Sequence, residues 1–586
     1  MKTADHNAAQ ADISKKRARV IGVAMTVLLS VCAVQLFMIQ IVRGPALAEQ
    51  GRQVRTSATK IPAPRGQILD ANGQVMVDSV QTYHIAVNQQ KIREYIQEDD
   101  DGKTIGRGPA AAAKQLAPLL KMDAAVLGAK MVGDGTYEYL AKNVDSDTYR
   151  AIRALGIYGI EWEPVFERIY PAGNAAANVL GTFGTEPENS SGLEMVYYDV
   201  LEGTPGEESY EVSPGGAVIP GAKTVSKEAA HGGTVQTTLH LDLQAQVQEA
   251  VDAIADKHQA DWVSAVVLDV KTSKVLVLAD SDLKKPTEGP QMSNAVQGAF
   301  EPGSVGKILT MATALEKGTV TPLSTFSVPG VLSTPDGGDI EDLHDHETYV
   351  RTVAGILTES SNTGTVMVGQ TVSDSDRLET MKAFGLGQLT GIELPGETPG
   401  LLAESGDEWV GRDRYVTMFG QGYAMSALQQ AAMMAAIGND GVWQPPRIVD
   451  SVTYADGKRI ETEEPQPRQA VSPETANALL KMMEGVVSDE EYGTGSGAAI
   501  DGYRVALKTG TAEILGGEGT VATTAGVLPA DNPQIAISVV VNNPKAGGYL
   551  SSDSAIPLFK SVASSAVRNL GIPASATEPE LFPLTP

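Results

Sequence analysis

Residues 20–42, VIGVAMTVLLSVCAVQLFMIQIV, form one apolar run interrupted only mildly by Gln35 and Gln40. At a helical rise of about 1.5 Å per residue the run crosses a hydrocarbon core of roughly 30 Å. Lys15, Lys16, Arg17 and Arg19 precede it. That bias keeps the N-terminus in the cytoplasm and sends the remainder outside. A cleaved leader is the alternative, because Ala46-Leu47-Ala48 resembles a small-residue cleavage site, but leader apolar regions are normally only about 7–15 residues. An uncleaved anchor is therefore expected, and no other run is long or apolar enough to span. The single cysteine of the chain, Cys32, falls inside the anchor, so the exported part has no thiol for a disulfide or a cysteine metal site.

The 586 residues exceed what one hydrophobic core organises, so two or three folded units are expected. The formal net charge of -27 repels polyanions, which argues against a nucleic-acid partner. IPAPRGQILDANGQVM (61–76) reads as strand, Asn72-Gly73 turn, strand. EDDDGK (98–103) is a loop and PAAAAKQLAPLLKM (109–122) a helix. Around 215–233 glycine becomes frequent and periodicity fades, which marks a boundary. The organisation predicted is a cytoplasmic tail (1–19), an anchor (20–42), a mixed, turn-rich unit (43–228), a second domain (229–575) and a tail (576–586). The second domain opens with a short strand and an amphipathic helix on which Leu243, Val247, Ala250 and Val251 share one side. Strands SAVVLDV and KVLVLAD follow, joined at Lys271-Thr272-Ser273. Helices dominate from Gly306 to about Gly441, and then come strands YRVALKTGT, TAGVLPA and QIAISVVVN and a last helix. The order predicts an α+β fold, with an antiparallel sheet flanked by helices on both faces.

Within EPGSVGK (301–307), Ser304 and Lys307 stand one helical turn apart, ahead of the apolar run ILTMATAL. A lysine in a core helix is costly unless it is paired or its proton is wanted elsewhere. Burial lowers its pKa, and a neutral amine within reach takes the proton of a serine hydroxyl and makes it a nucleophile. The helix N-terminus also offers free N–H groups for an oxyanion. The same pair equally describes a helix cap beside a solvated lysine. Ser360-Ser361-Asn362 sits between helical segments, where a hydroxyl and an amide two apart can relay a proton and hold a substrate amide; alone it is a polar turn. Lys508-Thr509-Gly510-Thr511 lies on a strand. Thr509 and Thr511 share a face suited to a carboxylate, Gly510 admits a ligand close to the backbone, and Lys508 adds charge; alone it is an ordinary edge strand.

Taken together and in this order, S-x-x-K, S-x-N and K-T-G make the chain resemble the penicillin-recognising serine acyltransferases. RGQILDANGQVM (65–76) is similar to the opening of the extracellular part of class B penicillin-binding proteins, with Ala71 where arginine is usual. RIYPAGNAAANVLGTFG (168–184) and SGLEMVYYDVLEGTPG (191–206) are similar to their pedestal. FGLGQLTGIELPGETPG (384–400), FGQGYAMSALQQAAMMAAIGNDG (419–441) and VLPADNPQIAISVVV (527–541) are similar to their transpeptidase domain. The resemblance implies that Ser304 attacks the carbonyl between the last two D-alanines of a peptidoglycan stem peptide and that Lys307 accepts its proton. Ser360 would then protonate the departing D-alanine, Asn362 hold the acyl chain and Lys508 support the electrostatics. Thr509 and Thr511 would bind the terminal carboxylate beside Gly510, with the N–H groups of Ser304 and Thr511 as oxyanion hole. An amine of a second stem completes the cross-link, β-lactams acylate Ser304 in place of the donor, and neither metal nor cofactor is needed.

The resemblance leans to the septal, actinobacterial-like type over the lateral-wall type. It implies a polytopic glycan-strand polymerase and other division proteins as membrane partners, with Gln35 and Gln40 available to hydrogen-bond a neighbouring helix. A β-lactamase is weighed against it, but the anchor, the long pedestal and the lack of a deacylating glutamate speak otherwise. A non-catalytic β-lactam sensor fits poorly with so short a cytoplasmic segment and intact Ser304, Lys307, Asn362 and Lys508. A carboxypeptidase would differ only in using water as acceptor. LHDHE, with His344, Asp345 and His346, reads as a polar loop in preference to a metal site. GTGSGAAIDG (493–502) lacks a phosphate-loop lysine and reads as a loop leading to the K-T-G strand. Glu194 is expected in a structural ion pair or helix cap.

Overall fold

The computed structural model describes residues 2–47, 56–184, 186–211, 224–281, 283, 286–289, 291–464, 466–514 and 518–586. Ala48 of the cleavage-like triplet, and residues 215–223 of the glycine-rich boundary, lie outside the described residues. The chain falls into two compact units, Met1–Ala63 with Thr204–Ala230, and Pro64–Gly203 with His231–Pro586.

In the first unit, one helix runs Lys2–Phe37 and continues as a wider turn, Met38–Val42. Within its Lys15–Val42 portion a window of 18 residues reaches mean hydropathy 2.3, and the portion is long and apolar enough to cross a membrane. Thr56–Ile61, Gly206–Glu211 and Thr224–Lys227 form a three-stranded antiparallel sheet in that spatial order.

The second unit contains a pedestal sheet built on the long strand Val75–Val87. Ile68–Leu69 pairs with it antiparallel across the expected turn, where Gly73 takes φ +82 and Asp70 Oδ1 accepts the N–H groups of Asn72 and Gln74. Glu138–Val144 and Ile160–Ile169 pair with the far end of the same strand. The expected helix spans Gly108–Leu120 and buries Ala112 and Leu116 against Ile85, Val87 and Leu140. Glu194 is wholly buried between two arginines: Arg65 Nε donates to one oxygen at 2.7 Å and Arg168 Nε to the other at 2.6 Å. The Arg65 guanidinium also stands over the rings of Phe183 and Tyr198, 4.5 and 4.4 Å from their centroids.

The second sheet is fully antiparallel, in the order Val275–Asp280, Trp262–Asp269, Ile535–Asn542, Thr520–Leu528, Ala506–Glu513. Its strands are apolar almost throughout because helices cover both faces. Ile537, Val539 and Val541 point to the side of helices Leu241–His258 and Ala555–Asn569, among Leu243, Val247, Phe559 and Val562. Ala536 and Val540 point the other way, among Met433 and Ala431 of helix Ala427–Gly438. This alternation gives the unit two cores, one on each side of the sheet, and leaves Ala506–Glu513 as an edge strand. The helical middle also contains two strand pairs not expected from the sequence, Thr325–Val328 with Tyr349–Thr352 and Val331–Thr334 with Gly338–Glu341. They are four residues long and half exposed, so no apolar alternation marks them. The last residues, without regular structure, return to helix Val353–Glu359. There Leu584 O accepts the N–H of Thr352 at 3.0 Å, Pro583 O accepts its hydroxyl at 2.8 Å, and Phe582 packs on the core.

Candidate active site

Ser304 lies in a tight turn, Gly303–Gly306, and the helix proper begins at Lys307 and runs to Glu316. Lys307 is completely buried, because the helix it opens is buried on every face from Lys307 to Ala314, Ile308, Leu309 and Met311 included. Its Nζ lies 2.6 Å from Ser304 Oγ, 2.7 Å from Ser360 O, 3.2 Å from Ser360 Oγ and 2.7 Å from Asn362 Oδ1. The Asn362 amide is oriented by its Nδ2, which donates to Glu341 O at 2.9 Å. The Ser360 carbonyl and Asn362 Oδ1 can only accept, so they take two of the amine's hydrogens. Of the two hydroxyls left for the third direction, Ser304 Oγ at 2.6 Å is nearer than Ser360 Oγ at 3.2 Å; in the neutral amine that direction is the lone pair, placed to receive the serine's proton. Burial lowers the Lys307 pKa to about 7, against the opposing pull of the Asp342 carboxylate.

Ser360 closes helix Val353–Glu359 in a left-handed conformation, φ +64, and Ser361 caps the next helix, Asn362–Gly369. This turn brings the Ser360 hydroxyl between two amines, Lys307 and Lys508, the latter donating at 2.9 Å. Lys508 is also fully buried, and its pKa is lowered well below the usual lysine value by burial first and the neighbouring Lys307 second.

Lys508, Thr509, Gly510 and Thr511 all lie on the edge strand Ala506–Glu513. The strand abuts the serine turn backbone to backbone: Gly303 takes φ +52, and a Cβ there would stand 2.7 Å from Thr511 O. Only glycine allows that approach. The Thr509 hydroxyl donates to Thr494 Oγ1 at 3.2 Å, and Thr511 Oγ1 accepts the N–H of Ser551 at 3.2 Å. Every site residue expected from sequence therefore gathers around one point at the sheet edge.

Three contributors escape sequence analysis. Thr494 comes from the glycine-rich 493–502 loop and Ser551 from the segment before the last helix. Asp342 lies beside the Ser361-Asn362 turn: its Oδ1 accepts the N–H groups of Asn362 and Thr363, and its Oδ2 accepts the Ser361 hydroxyl at 2.7 Å. Nothing in the sequence distinguishes this aspartate from its acidic neighbours. In the LHDHE loop, His344 and Asp345 are exposed and His346 pairs with Asp342 at 3.0 Å. Among the described residues no group of three or more His, Cys, Asp or Glu is poised to hold a metal ion.

A buried amine 2.6 Å from a serine hydroxyl, and a second hydroxyl set between two lysines, make a serine acyl-transfer site. Residues 263–564 match the penicillin binding protein transpeptidase domain, and residues 60–237 the penicillin-binding protein dimerisation domain. The chain is 35% identical to penicillin-binding protein PbpB of Mycolicibacterium smegmatis, over 95% of this chain and 91% of that protein. It is 30% identical to peptidoglycan D,D-transpeptidase FtsI of Escherichia coli, over 91% and 88%. Penicillin binding protein 3 of Mycobacterium tuberculosis, in complex with aztreonam, superposes with a TM-score of 0.67 at 29% identity, covering 89% of this chain and 99% of that one. The chain belongs to the class B penicillin-binding proteins.

Proposed function

We propose that this protein is a membrane-anchored peptidoglycan D,D-transpeptidase of septal wall synthesis in which Ser304 is the nucleophile and Lys307 the base. The observation that carries the reading is the 2.6 Å contact between the buried Lys307 amine and Ser304 Oγ, the shortest that amine makes. Lys307 takes the serine proton as Oγ attacks the carbonyl of the penultimate D-alanine. The N–H groups of Ser304 and Thr511, brought together by Gly303, receive the developing oxyanion. Ser360, between the two lysines, returns the proton to the departing D-alanine nitrogen. Asn362 and the backbone of the edge strand hold the acyl chain, while Thr509 and Thr511 meet the terminal carboxylate beside Gly510 and the charge of Lys508. The amine of a second stem then attacks the Ser304 ester, forming the cross-link and freeing the serine.

β-Lactams enter as mimics of the donor and leave Ser304 acylated; the aztreonam complex of the mycobacterial relative supports this. The septal assignment rests on likeness to the PbpB and FtsI proteins. The residues 1–19, 20–42, 43–228 and 229–575 serve as cytoplasmic tail, anchor, pedestal and transpeptidase domain, the basic cluster at 15–19 keeping the N-terminus inside. A polytopic glycan-strand polymerase and other division proteins are the membrane partners. Mass spectrometry of the full-length protein in detergent after penicillin treatment tests the reading: one drug-sized adduct on the Ser304 peptide is expected, and folded protein without it refutes the assignment.

A further inference from the structure

The loop between strands Gly338–Glu341 and Tyr349–Thr352 carries an ion pair that the reaction leaves unused. His346 Nδ1 lies 2.8 Å from the carbonyl oxygen of Glu347, and Nε2 lies 3.0 Å from Asp342 Oδ2. A carbonyl only accepts, so Nδ1 carries a hydrogen. The Asp342 carboxylate is ringed by donors: two backbone N–H groups on Oδ1 and the Ser361 hydroxyl on Oδ2. The same Ser361 oxygen accepts the N–H of Gly364 at 2.9 Å, which ties the turn to the start of the next helix. A carboxylate oxygen only accepts, so Nε2, facing Oδ2, donates as well. Only an imidazolium has two N–H groups, and the geometry makes His346 a cation.

The charged and titratable groups around this ring come from three elements. Asp342, His344, Asp345 and Glu347 belong to its own loop, with Tyr349 stacked on the ring at 4.3 Å. Glu359 approaches from helix Val353–Glu359 and pairs with Arg351 at 2.5 Å. Partial burial opposes the charge, but the Glu347 carbonyl, Asp342 and Glu359 outweigh it and hold the imidazole above its ordinary range.

We propose that His346 is a positioning residue whose positive charge, acting through Asp342, braces the Ser361-Asn362 turn and keeps the Lys307 amine neutral and ready for the Ser304 proton. Asp342 faces Lys307 electrostatically and draws a proton onto it. A cation on the other side of that carboxylate cancels part of the pull. Removing the ring's charge therefore protonates Lys307 to higher pH and slows acylation below that point. Well above it Lys307 is neutral in either case and the difference vanishes. The inference rests on the reading of Lys307 as the base for Ser304.

The test measures the second-order rate of acylation by a fluorescent penicillin, from about pH 5.5 to 9.5, on full-length protein in detergent, with a melting curve for each variant. His346→Gln keeps an N–H toward Asp342 without the charge, and His346→Arg keeps the charge at every pH. The glutamine variant should react roughly threefold to tenfold more slowly than wild type near pH 6 and within about twofold near pH 9, its midpoint raised by about half a unit to one unit. The arginine variant should match wild type near pH 6. A constant ratio at all pH values would reveal a merely structural role and overturns the proposal. So does an unchanged rate in the glutamine variant, or an arginine variant as slow as the glutamine one near pH 6. If wild-type protein is not acylated at all, the reading of Ser304 and Lys307 falls and takes this proposal with it; if it is acylated and the ratio is flat, only this proposal falls.

Discussion

Gly510 and Pro302 meet backbone to backbone, so closely that a Cβ on Gly510 would stand 2.4 Å from the carbonyl oxygen of Pro302. The edge strand and the serine turn are thereby held at a spacing set by two hydrogen atoms, those of Gly510 and Gly303. Gly510→Ala must push the strand outward, displacing Thr511 from Ser304. Misplacement on the order of 1 Å costs about a hundredfold in positioned reactions. Acylation by a labelled penicillin should fall at least about tenfold in protein that still melts cooperatively, and a wild-type rate would show that this contact does not set the site.

Lys307→Met removes the base while filling the same space. Acylation should drop by roughly a hundredfold to ten-thousandfold, the range of a lost general base. The melting temperature should change little, because the cost of burying an amine disappears as Ser360 O and Asn362 Oδ1 lose a donor. Stopped-flow acylation and calorimetry on the same preparation separate the two effects.

The direction of the pH dependence follows from the lowered lysine. Burial brings Lys307 to about 7, so the amine is protonated and inactive below that value and neutral above it. Acylation should rise with pH, by no more than about tenfold per unit, and level off above about pH 7 to 8. A rate that falls through this window would exclude a neutral Lys307 as the base.

Glu194 links Arg65 and Arg168 through its two oxygens, and it has no exposure to water. Glu194→Gln leaves two enclosed guanidinium groups short of their counter-charge. A loss of about 3–5 kcal/mol is expected for breaking such a buried pair, read as a lowered denaturation midpoint. An unchanged midpoint would mean that the arginines find other acceptors.

Removing residues 582–586 strips the acceptors from Thr352, which is buried at the start of helix Val353–Glu359. An unpaired buried donor costs about 1–3 kcal/mol. The same helix ends on Ser360, so acylation should slow together with the loss of stability. The shortened protein should regain its rate when the eleven-residue peptide ATEPELFPLTP is supplied in excess.

Much of this was readable from the amino-acid order. The anchor announces itself because a membrane demands an unbroken apolar run. Strands such as SAVVLDV and QIAISVVVN do so because a sheet covered on both faces leaves no place for polar residues. Ser304, Lys307, Ser360, Asn362 and the Lys508–Thr511 stretch were legible because their spacing within each short segment is local: a helical turn, a cap, a strand. Asp342, Thr494, Ser551 and the docking of the last residues carry no such local mark. They are tied to the site across gaps of 20, 15, 40 and more than 200 residues along the chain.

The sequence alone determined which side chains could do chemistry and on what kind of element each would sit, because period and capping act over a few residues. Only the tertiary structure decided which acceptors surround the Lys307 amine, that Ser360 lies between two amines and that His346 of the LHDHE loop faces Asp342. Those properties depend on burial and on acceptors brought in from distant segments, and neither is a property of any short stretch of chain.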